Sequence, residues 1–551
     1  MDRPAARDAE SCEPLTAVPR RKLCTRRRAS WACLLLLLLL TTASGLGSWY
    51  MGRLVDAGVW DAAVVDRPGA TGYGRFADSY TLFVVRFLNV SNAAEVLERG
   101  AKPKLVEVGP FVYKQYQSRK DIKFDSESDM VSYRQHTWSE FDKDETLARS
   151  NGVYHSDTDV KITTLNLIFS GMRTMTSQSA LHMLGGLLWR SDFERLFEQR
   201  TPRELLEGYN VTFKLMGLPV HTVAFPGIAP NLPKAKDPNM LHTSAIHVGA
   251  HENDKTFSYM TWEGQSEARV QCPFGSLHLP FSHGCKAGQQ PCCGQKELVP
   301  LWNTTQMPGE FDADANAVRG TTGEQFRRGL IEDVEEVEMY FSLVRRAMRL
   351  ATTPGEQRRH QGIPVRTFRP DYGTFWANAT ERPANARYYQ WGPSGLVNMS
   401  MALGADLYMS PAHFLGCDPS LSEAVEGLRP DPDKHGFLMG VEPTTGITLE
   451  TYCTVMLSGR VHAEPDAPGT HGHGWFPALA GRTLYVPIAW FGLEVPDLPP
   501  EVVNVLLAMN MGQRMEIILR CACIGGSTAL AVAMLIRSLC YVKVGCGRAA
   551  A

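Results

Sequence analysis

The sequence predicts an α+β, strand-rich domain held between two membrane-spanning helices. Three observations predict it. An uncharged or nearly uncharged apolar stretch lies near each end, five N-x-S/T sequons fall between those stretches, and period-two alternation dominates much of the chain between them.

The N-terminal stretch sets six basic residues within 20–28 against seven consecutive leucines, 34–40. Residues 31–51 carry no charge, and about 20 apolar residues suffice to cross a bilayer core. The competing reading is a secretory signal cut at Thr42-Ala43-Ser44-Gly45. A signal has a shorter apolar run and a shorter leader than the 30 residues found here, which hold eight Arg/Lys and four Asp/Glu. The retained anchor is favoured, with its basic end in the cytoplasm. At the other end, residues 517–536 hold one charge, Arg520, which can snorkel to the headgroups. Gly525, Gly526, Ser527 and Ala529 permit close helix packing in lipid. Arg537, Lys543 and Arg548 follow without an acid. The predicted layout is a cytoplasmic tail 1–30, a span 31–51, an extracellular or lumenal domain 52–516, a span 517–536 and a cytoplasmic tail 537–551.

Composition agrees. The chain has 56 Lys/Arg against 58 Asp/Glu, and it shows no basic face for nucleic acid. The sequons begin at Asn89, Asn210, Asn303, Asn378 and Asn398, as a glycosylated domain outside the cytosol requires. Of 13 cysteines, six lie outside the tails and spans: Cys272, Cys285, Cys292, Cys293, Cys417 and Cys453. In an oxidising compartment these read as disulfides. The first four form a local cluster, in which vicinal Cys292 and Cys293 would each reach Cys272 or Cys285. That leaves Cys417 for Cys453. Zinc is the lesser reading, because the cluster lacks a C-x-x-C knuckle. Cys12, Cys24, Cys540 and Cys546 flank the spans on the reducing side and are candidates for palmitoylation.

Between the spans, "YTLFVVRFLNV", "KLVEVGPFVYKQY" and "DIKF…DMVSYRQH" alternate as strands, with residues 100–103 and Gly109-Pro110 as punctuation. Residues 165–200 switch to helical spacing, with Met172, Met175, Ala180, Met183, Leu184, Leu187 and Leu188 at three- and four-residue steps. "DVEEVEMYFSLVRRAMRL" (333–350) predicts a second amphipathic helix, acids first and Arg last as the helix dipole favours. Strand patterns return over 363–490.

Several segments resemble one family in order: "FLNVSNAAEVLERGAKPKLVEVGPFVYKQY" (87–116), "VSYRQH", "DVKITTLN" (159–166), "RTPRELLEGYN" (200–210), "VRGTTGEQF" (318–326), "GIPVRTF" (362–368), "HFLGCDPSLSEAVEGLRPDPDKHGFLMGVEPTTGITLE" (413–450) and "VPIAWFGLE" (486–494). Together they resemble the class B scavenger receptors, which include fatty-acid translocase and the lysosomal integral membrane protein. The resemblance implies a two-anchor hairpin whose large ectodomain has an antiparallel β-barrel core and a helical bundle at its apex. It also implies that hydrophobic ligands (lipids, fatty acids or lipoprotein-like particles) enter near the bundle and pass along a tunnel toward the membrane. On this basis Met172, Met175, Met183, Leu184, Leu187 and Leu188 are candidates for the mouth. The family's usual cysteines between "GIP" and "HF" are missing here, so its disulfide plan is not carried over. Residues 163–207 balance five Arg against five acids, which argues against capture of a polyanion.

No cofactor, metal or catalytic role is predicted. The sequence has no G-x-S-x-G, H-E-x-x-H or P-loop pattern, and Asp466, His471 and His473 lie in a Pro/Gly-rich stretch that reads as a loop. The rival to lipid transfer is a receptor for a protein partner at the helical apex. The last 15 residues lack a dileucine signal, and Tyr541-Val542-Lys543-Val544 lies close to the membrane. The plasma membrane is expected, with the lysosomal or endosomal membrane as the alternative.

Overall fold

The computed structural model describes residues 20–549 apart from 168–195, 216–217, 226, 229–241, 252, 272–297, 303–312, 330–333, 353–354, 357, 389–391, 404, 463–476 and 480. The chain forms two compact units, one of the long terminal helices up to Gly58 and from Asn504, the other Val59–Val503.

The first unit pairs the N-terminal helix (Arg20–Ala63) with the C-terminal helix (Pro500–Ala549). Both run beyond the uncharged stretches that betray them in sequence. Their closest approaches pair rising with falling numbers, so they are antiparallel. A Cβ on Gly526 would lie 2.2 Å from Thr41 Cγ2, one on Gly45 3.1 Å from Cys523 Sγ, and one on Gly512 2.9 Å from Val55 Cγ2. Gly525 meets nothing within 4 Å, so of the adjacent glycines only Gly526 serves the contact. The opposite faces are apolar and bare, with Leu39 64% and Leu535 61% exposed, as lipid-facing helices require.

The second unit is built on an antiparallel sheet. Its first strands are β1 (Asp78–Val90), β2 (Leu105–Asp125) and β3 (Met130–Phe141). Two small hairpins follow, β4 (Ile162–Leu165) with β5 (Phe197–Arg200) and β6 (Tyr209–Leu215) with β7 (Leu218–Phe225). After β8 (His242–His247) and β9 (Tyr259–Thr261), the pair β10 (Arg269–Gln271) and β11 (Leu298–Pro300) closes the stem of the cysteine-bearing stretch. The remainder are β12 (Glu336–Phe341), β13 (Arg346–Thr352), β14 (Arg358–His360), β15 (Ile363–Pro370), β16 (Val397–Asn398), β17 (Leu407–Ser410), β18 (Phe437–Val441), β19 (Thr448–His462) and β20 (Thr483–Glu494). The path runs β12-β13-β15-β18-β19-β20-β1-β2-β3-β8-β9, with β14, β16 and β17 off it.

The strands expected over 80–136 form as β1 to β3. Gly100 ends a short helix (Ala93–Arg99) with φ 63°, but Gly109-Pro110 does not separate strands. It lies inside β2, where the register with β1 shifts between Val85 and Phe87. The helix expected over 333–350 is not formed. Residues 336–352 are a β12–β13 hairpin with Arg345 at φ 53° in its turn. Val337, Met339 and Phe341 face Leu350, Met348 and Arg346 at period two, so strand pairing prevails over the charge gradient. The ends of the 165–200 segment are also strand: Phe197–Arg200 pairs with Ile162–Leu165.

The path leaves two edges, β9 and β12, and residues 317–326 join them. Tyr259 N donates to Gly320 O at 3.0 Å, Thr321 N to Glu338 O at 3.0 Å, and Tyr340 N to Thr321 O at 2.9 Å. The sheet thereby becomes a barrel without a free edge at this seam. Glu324 of the same segment meets Arg119 of β2, whose side chain is only 1% exposed. The guanidinium also donates to Phe76 O at 2.6 Å and lies over the rings of Phe76 and Tyr133. Burial, the largest single influence, would lower its pKa; the Glu324 charge, its hydrogen bond and the neighbouring Tyr133 and Tyr259 together outweigh that and raise it. The adjacent Gln325, fully buried, donates to Ala63 O at 2.6 Å.

Two substitutions test this seam. Gly320 has φ 92° and a Cβ there would lie 2.8 Å from Met339 C, so Gly320→Ala should destabilise the domain by more than ~1 kcal/mol, read as a lowered Tm of the purified ectodomain. Arg119→Ala leaves a carboxylate and a carbonyl without their buried cation and should cost ~3–5 kcal/mol, with Arg119→Lys a poor rescue because it lacks the planar fork. Wild-type Tm in either single variant would show that the seam is not structural.

Candidate functional site: the barrel interior

Strand register sorts the side chains onto two faces. One row runs Phe437–Cys453–Leu493–Phe83–Tyr113–Phe141 across six strands. This face is the concave one, because side chains of strands that are not neighbours meet on it. The rings of Phe341 in β12 and Phe437 in β18 lie 6.4 Å apart across two intervening strands. Met339 and Met439, on the same two strands, both approach Gly323 of the closing segment.

The interior has two kinds of wall. From β12 round to β1 it is largely apolar: Met339, Leu350, Phe368, Met439, Val455, Phe491 and Val85 are all buried in one cluster, with Arg346, Arg366 and Thr451 the polar exceptions that register places on the same face. On β1, β2 and β3 the same face turns polar, in the rows Thr81–Gln115–Ser139 and Ser79–Gln117–Thr137. Most of these are half-buried, and Thr81 Oγ1 and Ser139 Oγ are buried without a protein hydrogen-bond partner among the described residues. Buried hydroxyls of this kind need water or a ligand to satisfy them. An apolar wall facing a polar one suits an amphiphile, with its chain on one side and its polar groups on the other. The Arg119–Glu324 pair lies on the concave face beyond the polar rows, beside a second apolar cluster of Val64, Val65, Phe76, Val131 and Ile246.

Outside the barrel, Arg86, Glu107 and Trp490 hold two histidines. His413 and His435 stack with ring centroids 3.8 Å apart, and both meet the Trp490 ring edge-on. His413 Nδ1 accepts from Arg429 N and His435 Nδ1 from Asp431 N, each at 3.0 Å, which puts the ring proton on Nε2. Glu107 accepts from His413 Nε2 at 3.2 Å and Trp490 Nε1 at 3.1 Å and pairs with Arg86. Burial would raise the Glu107 pKa, but these partners hold it below the ordinary carboxylate range. For His435, burial first and the neighbouring His413 second push the pKa down to about 4.

The predicted site residues distribute as follows. Met172, Met175, Met183, Leu184, Leu187 and Leu188 lie outside the described residues, as do Cys272, Cys285, Cys292, Cys293, Asn303 and Cys12. Asn210 and Asn398 are exposed; Asn89 and Asn378 are half-buried, with Asn89 Oδ1 accepting from Thr163 N at 2.8 Å. Cys24, Cys540 and Cys546 fall on the long helices. The Cys417–Cys453 pairing is not present, and both thiols are free. Register turns Cys453 into the barrel between Phe437 and Leu493, whereas Cys417 Sγ lies 3.7 Å from Gly395 O. Burial pushes both thiols well above their ordinary pKa. Sequence reasoning missed the polar wall, although Gln115 and Gln117 alternate with Lys114 and Tyr116 at the strand period.

A family model, the CD36 family, matches residues 34–538. The chain belongs to the CD36 family. Among its relatives in that family, Scavenger receptor class B member 1 of Rattus norvegicus is 28% identical over 398 residues, covering 71% of this chain and 68% of that protein. Protein peste of Drosophila melanogaster is 26% identical over 436 residues, 75% of this chain and 65% of that protein. Sensory neuron membrane protein 1 of Ostrinia nubilalis is 24% identical over 446 residues, 77% of each. The match runs through both apolar helices and the barrel, so the scavenger-receptor-like reading of this membrane protein stands on the whole arrangement.

The histidine stack makes stability depend on pH. The unfolded chain takes a proton on His435 near 6.5, while the folded one resists until about 4. Stability is therefore present above pH 6.5 and declines as pH falls toward 4. The Tm of the ectodomain should drop across that window, and His435→Gln should flatten the slope. An unchanged slope in that variant would remove His435 as its source.

Proposed function

We propose that this chain is a two-pass receptor of the plasma membrane, with both termini cytoplasmic and residues 52–516 outside. It binds hydrophobic ligands such as lipids, fatty acids or lipoprotein-like particles and passes them through the barrel toward the membrane. The observation that carries the reading is the two-walled interior, largely apolar from β12 to β1 and half-buried and polar on β1 to β3. Membership of a family whose relatives bear the name scavenger receptor supports it. The mouth is assigned to Met172, Met175, Met183, Leu184, Leu187 and Leu188 on the helical spacing of the sequence and its resemblance to the family. The expected disulfides among Cys272, Cys285, Cys292 and Cys293, and the glycans, belong to the same outward-facing reading.

Each methylene moved from water to the apolar wall contributes up to ~0.8 kcal/mol, or about fourfold in affinity before ordering costs. Fatty-acid affinity should rise with chain length and change little with salt. Gln117→Trp, which fills the polar wall, and Leu184→Asp or Leu187→Asp at the mouth should impair uptake at normal surface expression. Tyr116→Ala on the outer face should not. Salt-sensitive binding indifferent to acyl length, untouched by Gln117→Trp, would favour a receptor for a charged or protein ligand instead.

A further inference from the structure

The paired helices hold a second feature, apart from the barrel. A groove of about 420 Å³ opens between them, lined by Gly45, Ser48, Trp49, Gly52, Arg53, Asp56, Glu516, Arg520, Cys523 and Ile524. Its two ends differ. Gly45, Cys523 and Ile524 belong to the apolar stretches, whereas Arg53, Asp56 and Glu516 lie just past the boundaries where charge resumes. From Gly45 to Asp56 a helix rises ~16 Å, about half of a ~30 Å hydrocarbon core. The groove therefore starts at headgroup level and descends into the acyl region.

Its charges are built rather than scattered. Glu516, 16% exposed, accepts from Ser48 Oγ at 3.2 Å and pairs with Arg520 Nη2 at 2.7 Å. Ser48 itself is buried. Arg520 is 68% exposed, so its guanidinium stays accessible while paired with Glu516. Arg53 lies over the Trp49 ring at 5.5 Å, and Trp49 is 62% exposed. The set holds two guanidiniums and two carboxylates and is neutral as a whole. A pure anion would meet Asp56 and Glu516, and a pure cation would meet both arginines. A zwitterion satisfies all four.

We propose that this groove binds one zwitterionic glycerophospholipid. Its phosphate lies on Arg53 and Arg520, its ammonium faces Asp56 and Glu516 beside Trp49, and an acyl chain lies over Gly45, Cys523 and Ile524. Planar guanidinium forks suit phosphate, and a tryptophan face suits a quaternary ammonium. The proposal rests on the two spans and not on the tunnel.

The test uses the full chain in nanodiscs doped with a phosphatidylcholine bearing a photoreactive acyl chain. Adducts should map to residues 45–56 and 516–524. Competition by unlabelled phosphatidylcholine should exceed that by phosphatidylglycerol or diacylglycerol. Arg53→Gln with Arg520→Gln should cut labelling there about tenfold while leaving labelling elsewhere on the helices unchanged. Asp56→Arg should shift the preference toward phosphatidylglycerol, a gain that misfolding cannot mimic. Equal labelling by diacylglycerol, or labelling indifferent to the arginines with no shift in Asp56→Arg, would overturn the site. Loss of fatty-acid uptake by the barrel would leave these results unchanged, so the two readings fail separately.

Discussion

The barrel depends on one seam. Its edges at β9 and β12 come from segments about eighty residues apart, and neither has a strand partner beyond itself. Residues 317–326 lie between them and hydrogen-bond both ways, so the open ladder becomes closed. The Arg119–Glu324 pair ties that seam to β2 on the far side of the path. A buried guanidinium is costly unless it is paired, and here one carboxylate, one carbonyl and two aromatic rings share it. The seam and the charge that holds it thus stand or fall together.

Closure is what gives the inner face its meaning. On an open sheet Gln115, Gln117 and Thr81 would be ordinary solvated residues. Once the sheet closes, they share the concave face with Phe491, Val455 and Met439, and their hydroxyls and amides form the polar part of the barrel interior. The outer face follows the opposite logic. There Glu107 gathers Arg86, His413 and Trp490 against the outside of the wall, and the histidine stack lies under loops that follow β17 and precede β18.

Much of this was legible in the residues. Alternation over 80–136 reads directly as β1, β2 and β3, because period two leaves one solution for a half-buried strand. The helix reading of 333–350 failed for a definable reason. Acids at the start and arginines at the end suit a helix dipole, but Val337, Met339 and Phe341 also suit a strand, and neighbouring β15 decides between them. Cysteine arithmetic failed similarly. Two leftover cysteines invite pairing in one dimension, while the register of β19 turns Cys453 inward beside Phe437.

The sequence by itself determined the two apolar helices, the glycosylatable middle, the strand-rich class and the family. Each of these rests on local composition, on period, or on motifs in order along the chain. Gly526 is one of several small residues whose size permits close helix packing, yet only the contact with Thr41 separates it from Gly525. The tertiary structure alone decided the seam, the polar wall, the histidine stack and the neutral groove between the helices. All four bring together residues from distant segments, Arg119 with Glu324, Thr81 with Ser139, His413 with Glu107 and Ser48 with Glu516. Period two can mark which residues of one strand share a face, as with Gln115 and Gln117, but which strand lies beside which leaves no trace in spacing along the chain.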